Sequence, residues 1–323
     1  METTLPNGDR PELPQLFGHP KGMFYLFFAE LWERFSFYGM RALLVLYMTT
    51  KLLYSDEMSL GVYAAYGSLV YATPIIGGML ADRILGYRKS IIIGGILMAI
   101  GHGFMTIENS FFFYTSLAII IVGNGFFKPN ISSLVGAIYT GQDEKRESGF
   151  TIFYLGVNLG GMLAPLLCAW LGMKYGWHYG FGLAGLGMVL GIIFFLRGMK
   201  SGLFGEHGKL PEEQEKVLPA VYRKKEFTVI LLALISVPLF AGIIYFHQYE
   251  HWLVLVVTLA VALVLIKILS GVSKMERDRL MVVVYFTILA TLFWAIFEQA
   301  GSSLTLFADR NVNLVALNAA QTN

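Results

Sequence analysis

The chain has 323 residues, of which 56% are hydrophobic and only 14% charged, and its formal net charge is +2. An average soluble domain carries roughly 25% charged residues, and a soluble protein of this size cannot hide so much apolar surface, with a mean hydropathy of +0.61. This excludes a soluble enzyme, a nucleic-acid-binding domain and a disordered chain; Cys168, the single cysteine, excludes a disulfide scaffold. An all-α polytopic membrane protein remains.

A span needs ~20 residues, and the apolar runs predict nine spans of roughly 20–28 residues. Residues 1–21 are polar, hold Pro6, Pro11, Pro14 and Pro20, and read as a flexible tail without the signature of a signal peptide. Spans follow at about 22–50, 60–81, 90–108, 112–139, 149–173 and 179–198. The segment 199–226 is a charged linker. Two nearly featureless spans, about 227–247 and 252–270, form a hairpin over 227–270, joined by Gln248-Tyr249-Glu250. A last span covers 280–307, and 308–323 is a polar tail.

Lysine and arginine set the orientation. With the N-terminus inside, the inner loops hold Arg83, Arg88, Lys89, Lys145, Arg146, Arg197, Lys200, Lys209, Lys216, Arg223, Lys224, Lys225, Lys274, Arg277 and Arg279. The outer loops hold only Lys51, Lys174 and Arg310. The expectation is a multi-pass protein of the cell inner (plasma) membrane with a cytoplasmic N-terminus. Arg223-Lys224-Lys225 anchors the hairpin at the inner membrane surface, and Asp143–Glu147 reads as a solvated loop. Gly156, Gly160 and Gly161 in the fifth span, and Gly182, Gly185, Gly187 and Gly191 in the sixth, allow close helix packing. His102, in the third span, reads as a packing or interhelix hydrogen-bonding residue.

Ionisable residues inside spans carry the functional signal, because each costs about 2.5–3.5 kcal/mol or more at the bilayer centre. Glu30, Glu33 and Arg34 are spaced i, i+3, i+4 and share a face of the first span. Tyr38 and Arg41 extend that stripe. The fourth span holds Lys128 before Pro129 and Asn130; the last holds Glu298 and Gln299, with Trp294 one turn earlier. With the hairpin set aside, the charges fall on the first helix of each group of three, the helices that line the path in repeat-built transporters. Protonating a carboxylate here removes its side of an ion pair and shifts the preferred helix packing. A membrane potential supplies about 2.3 kcal/mol per charge per 100 mV for such coupling. The fork of Arg41 suits a ligand carboxylate.

The run Glu30-x-x-Glu33-Arg34-Phe35 resembles the ExxERF signature of the proton-dependent oligopeptide transporters, a branch of the major facilitator superfamily. The segments Gly77–Arg88, Gly123–Ser132, Phe153–Gly160 and Phe297–Leu304 are similar to that family's helix 2–3 loop, helix 4, helix 5 and helix 7 motifs. The resemblance implies a six-helix N-terminal bundle over 22–198, an inserted hairpin at 227–270, and the first C-terminal bundle helix at 280–307. It implies that helices 8–12 lie outside this chain.

It also implies a proton-coupled symporter importing di- and tripeptides by alternating access. Glu30, Glu33, Arg34 and Lys128 would couple protons. Arg41, Tyr38, Tyr66 and Asn158 would hold peptide termini or backbone. Tyr154 and Trp294 would shape the pocket, and Glu298 would meet the peptide's amino end or gate the outside. Asp82, Arg83 and Arg88 would form charge contacts between helix ends. Phe37 stands where many members have tyrosine, and Ala64 where animal members have histidine. The implied partners are peptides, protons and membrane lipid, with no nucleic acid, metal or cofactor, and the protein would work as a monomer. A same-family symporter for nitrate or a peptide-like conjugate is the alternative. An intramembrane enzyme is a distant one, since no HExxH, no partnered GxSxG and no Asp pair falls within a span.

Overall fold

The computed structural model describes residues 13–210 and 219–312. Residues 1–12, 211–218 and 313–323, which take in much of both expected tails and part of the linker, lie outside the described residues.

Within the segment expected to be a flexible tail, residues 13–20 form a small antiparallel hairpin, β1 (Gln15–Leu16) on β2 (His19–Pro20). Its turn residues, Phe17 and Gly18, take φ of 50° and 79°, the hand that matches strand twist. His19 fastens it: Nδ1 lies 2.8 Å from the Tyr139 hydroxyl.

The helices follow as α1 (Lys21–Thr50), α2 (Asp56–Leu80), α3 (Gly86–Met105), α4 (Ser110–Ile138), α5 (Asp143–Ala164), α6 (Trp170–Tyr175) and α7 (Trp177–Lys200). Then come α8 (Pro219–Tyr245), α9 (Glu250–Gly271), α10 (Lys274–Phe297) and α11 (Ser303–Asn311). Local chemistry explains the boundaries. The side chain of Asn109 caps α4 by accepting from Phe111 N at 2.8 Å. Ser273 and Glu276 form a reciprocal capping box at the start of α10. A π turn, Ala81–Leu85, ends at Gly86, whose φ of 73° turns the chain into α3. A second π turn, Pro165–Ala169, joins α5 to α6.

Two further expected elements differ. Asp143–Glu147 is the opening of α5 and not a loop; acidic residues favour a helix N-terminus. The span expected over 280–307 is interrupted: α10 stops at Phe297, Glu298–Gly301 forms a 3₁₀ turn, and α11 resumes at Ser303. Glycine and serine are weak helix formers at that break.

Among the described residues, seven helical segments are long and apolar enough to cross a membrane, one of them the 50-residue run Asp56–Met105 that holds both α2 and α3. α1 is not among them because Lys21, Glu30, Glu33, Arg34 and Arg41 interrupt its apolar run.

The described residues divide into two compact units, one within Met1–Leu43 and Ser68–Ala241, the other within Leu44–Gly67 and Gly242–Asn323. Most of α8 therefore belongs to the first unit and α9 to the second. The first unit's core joins Met23, Leu26 and Ala29 of α1, Phe127, Ile131 and Leu134 of α4, and Met188 and Phe195 of α7. α8 joins it through Val229 and Ala233 against Leu85, Val122 and Phe126, and through an ion pair between Glu226 and Lys89.

After α7, residues 201–210 fold back as a series of turns. Phe204 is fully buried and stacks on Phe195 with ring centroids 5.5 Å apart. Arg88 fastens this segment, donating to the carbonyls of His207 at 2.7 Å and Gly205 at 2.5 Å. Arg88, expected to make a charge contact between helix ends, thus bonds backbone, with the Glu206 carboxylate of the same folded-back segment within electrostatic reach. Asp82 bonds the Tyr87 side chain. In the same segment, the hydrogen bond from Lys209 holds the Glu206 carboxyl below its ordinary value.

In the second unit, Arg310 donates to both carboxylate oxygens of Asp56, at 2.6 and 2.7 Å. The described side chains of α9 are almost all exposed. An apolar helix without a polar face of that kind is built to face lipid.

Candidate functional site

Glycines set the environment of the charges on α1. A Cβ built on Gly156 of α5 would stand 3.0 Å from the Phe27 carbonyl oxygen, and one on Gly160 would stand 2.9 Å from Phe35 N. From α7, a Cβ on Gly187 would meet the Phe35 ring at 2.8 Å, and one on Gly191 the Ala29 carbonyl at 3.0 Å. α1 is therefore clasped between two small-residue faces over the turn that holds its charges. The result is deep burial: Glu30 is 4% exposed, Glu33 0% and Arg34 3%.

Buried charges persist only when paired and hydrogen-bonded. The guanidinium of Arg34 grips Glu33 with its fork, Nε on Oε2 and Nη2 on Oε1, the latter at 2.7 Å. Its Nε also lies 3.2 Å from Glu30 Oε1, and its Cζ sits 5.2 Å from the Phe37 ring centre. Lys128 of α4 is half-buried, places Nζ 5.2 Å from the Tyr71 ring centre, and is within electrostatic reach of Glu30. These two carboxylates and two cations balance in charge. Removing one partner of such a buried pair leaves an uncompensated charge and costs about 3–5 kcal/mol.

Tyr38 is within electrostatic reach of Arg34, and its ring packs against Gly161, which a Cβ would bring to 3.1 Å. Arg41 is half-buried one turn further along α1. Tyr154 and Asn158 lie one turn apart on α5, with Asn158 Nδ2 donating to the Tyr154 carbonyl at 3.1 Å. At about 100° per residue they fall on the side of α5 opposite Gly156 and Gly160, and both are exposed. Tyr154 and Asn158 thus point away from the Glu33–Arg34 pair.

Three expected site residues belong to the second unit. Tyr66 is buried in α2. Trp294 of α10 is about half exposed and meets the Phe297 ring edge-on at 5.4 Å. Glu298 is half-buried and begins the 3₁₀ turn.

Among the buried polar side chains of the first unit, His102, Ser36 and Asn124 carry atoms without hydrogen-bond partners among the described residues. His102 is fully buried with neither ring nitrogen bonded; the Gly185 backbone of α7 packs on its Cβ. The packing half of its expected role fits, and neither ring nitrogen makes an interhelix hydrogen bond among the described residues. Ser36 and Asn124, also fully buried, carry unbonded side-chain atoms. Sequence reasoning assigned neither a role, although Asn124 stands inside the helix 4 motif. An open cavity of about 670 Å³ lies elsewhere, at the α4–α5 turn, lined by Ser132, Ser133, Thr140 and Arg146 among others.

These features define an all-α polytopic membrane protein that keeps a charge-balanced cluster inside a span. The chain belongs to the POT family, whose model matches residues 88–321. It is 40% identical over 306 residues to the uncharacterized transporter YclF of Bacillus subtilis, covering 92% of this chain and 62% of YclF. It is 32% identical to a di-/tripeptide transporter of Lactococcus lactis, covering 92% of this chain and 63% of that protein. The crystal structure of a peptide transporter POT in complex with sulfate superposes with a TM-score of 0.77 at 37% identity, over 94% of this chain and 64% of that one. The fold is of the major facilitator type. The chain spans less than two thirds of the length of each of these proteins.

Proposed function

We propose that the protein carrying this chain is a proton-coupled symporter that imports di- and tripeptides by alternating access. The observation that carries the reading is the Glu33–Arg34 fork, sealed inside a span and shared with Glu30. Family membership and a relative named as a di-/tripeptide transporter support the substrate class.

With both carboxylates ionised, Glu30, Glu33, Arg34 and Lys128 are neutral as a set. A proton on Glu33 turns the fork acceptor into a carboxyl group and leaves one net positive charge in a low-dielectric site. That excess favours either a repacking of α1 or the entry of a compensating anion, which the carboxylate end of a peptide supplies. Proton and peptide then bind better together than apart, which is the requirement for symport.

In this reading Glu30, Glu33, Arg34 and Lys128 couple protons. Peptide-contacting roles fall to Arg41, Tyr38, Tyr154 and Asn158 in the first unit, and to Tyr66, Trp294 and Glu298 in the second. The gradient is the energy source, with no cofactor and no enzymatic step. The protein works as a monomer in the cell inner membrane with a cytoplasmic N-terminus, an orientation supported by the inner-loop lysines and arginines.

Proteoliposomes containing the protein expressed from its own gene, given an acid-outside gradient, should accumulate a labelled dipeptide. Uptake of nitrate without dipeptide uptake, Glu33 being intact, would overturn the peptide assignment. Conversion of a peptide to a new product would overturn transport.

A further inference from the structure

Asn124 lies within α4, fully buried, and neither Oδ1 nor Nδ2 has a hydrogen-bond partner among the described residues. A buried amide left in this condition costs about 1–3 kcal/mol per unmet group. Leucine or alanine would fill such a place without that penalty, so the residue calls for a partner in another state of the protein.

Its direction follows from its neighbours. Gly123 packs on α3, where a Cβ would meet Met98 N at 2.9 Å; Gly125 packs on α2, where a Cβ would meet the Thr73 carbonyl at 3.1 Å. Val122 and Phe126 pack with α8. At about 100° per residue, Asn124 points away from α8 and between the directions of Phe127 and Lys128. Phe127 shares a core with Ala29 of α1, and Lys128 is within electrostatic reach of Glu30. Asn124 therefore faces α1. Successive spans alternate in direction, so α1 and α4 run antiparallel, and Lys128 of α4 reaches Glu30 of α1. One turn back along α4 from Lys128 therefore brings Asn124 to the level of Glu33 and Arg34. Glu30 Oε2 and Ser36 Oγ, on either side of that level, also lack partners among the described residues.

The chemistry of the two groups is complementary in one protonation state only. An ionised carboxylate accepts and cannot donate, and the Glu33 carboxylate is already held by Arg34. A neutral carboxyl group donates through O–H and accepts through C=O. A primary amide accepts at Oδ1 and donates at Nδ2, so the two groups make a cyclic pair without any charge.

We propose that Asn124 is a positioning residue for proton coupling: its amide receives the protonated carboxyl of Glu33 once Arg34 lets go. This rests on the proton-coupling reading above. Of the charged and titratable groups around the carboxyl, Glu30 and Arg34 of α1 reach Glu33 directly, while Tyr38 of α1 reaches Arg34 and Lys128 of α4 reaches Glu30. The facing turns of α5 and α7 meet α1 through Gly156, Gly160, Gly187 and Gly191.

Asn124→Ala removes a stabiliser of the neutral form, so the carboxyl takes up its proton only at greater acidity. The midpoint of the pH dependence of proton-driven dipeptide uptake should move acidward by about half a unit to one unit. Gradient-free exchange at saturating dipeptide should keep its rate, and Asn124→Thr should recover part of the shift. In infrared difference spectra, the protonated-carboxyl band assigned through Glu33→Gln should move to higher frequency in Asn124→Ala, as a released C=O does. This second readout needs only folded protein, and Asn124→Ser serves if alanine folds poorly. An unchanged midpoint and an unmoved band, with Glu33→Gln still abolishing driven uptake, would overturn the role of Asn124 alone. Driven uptake that survives Glu33→Gln would overturn the coupling reading beneath it.

Discussion

A methyl group on Gly160 of α5 would stand 3.0 Å from the Cβ of Arg34 on α1. The absence of a side chain there is what lets α5 close over the Glu33–Arg34 pair. Gly160→Ala should therefore lower stability by about 1–3 kcal/mol, the usual cost of overpacking a tight contact. Gly103→Ala is the internal comparison, because nothing lies within 4 Å of the place a Cβ would take there; it should be neutral or gain up to ~1 kcal/mol from helix propensity. Thermal unfolding of both variants in detergent checks the contrast. Equal losses would mean that the α1–α5 approach is not the tight point.

Arg88 holds the 201–210 segment by two bonds from one guanidinium. Arg88→Ala removes both and leaves the Gly205 and His207 carbonyls to water, a loss of about 1–3 kcal/mol. Hydrogen exchange of residues 201–208 should speed up, with α3 and α7 little changed. Arg88→Lys should rescue only in part, since an ammonium lacks the planar fork. The neighbouring Glu206–Lys209 pair is exposed and should matter little. Because the Glu206 carboxyl is held low, its contribution is present at neutral pH and is lost on acidification through that lowered value.

Arg41 is assigned to the carboxylate end of the peptide. Arg41→Ala should raise the KM for free-carboxylate dipeptides about tenfold or more, the scale of a lost charge-assisted bond of ~1.5–3 kcal/mol. C-terminally amidated dipeptides should lose much less. Equal losses for both would place the contact of Arg41 elsewhere.

The charged cluster was legible in the sequence because a carboxylate within an apolar run is too costly to leave unpaired, and the i, i+3, i+4 spacing joined Glu30, Glu33 and Arg34. The tighter grip, however, is between the adjacent residues Glu33 and Arg34, which helical spacing alone would set about 100° apart. Only the long arginine side chain, pressed by α5 and α7, makes that pairing. Asn124 stayed silent because it carries no charge, and its burial without a partner is visible only in three dimensions. The hairpin at residues 13–20 was hidden by prolines and polar residues that read as a tail. The break at Glu298–Gly301 was hidden by the unbroken apolar run around it. Motif resemblance named Tyr154 and Asn158, but not that they face away from the cluster.

Proton coupling through Glu33 is tested most directly by one comparison in proteoliposomes. Uptake of a labelled dipeptide is measured under an acid-outside gradient and in gradient-free exchange, for the parent protein and for Glu33→Gln. Coupling predicts that the variant loses accumulation against a gradient while retaining most of its exchange. Equal loss of both activities would contradict it and make the Glu33–Arg34 fork a structural pair.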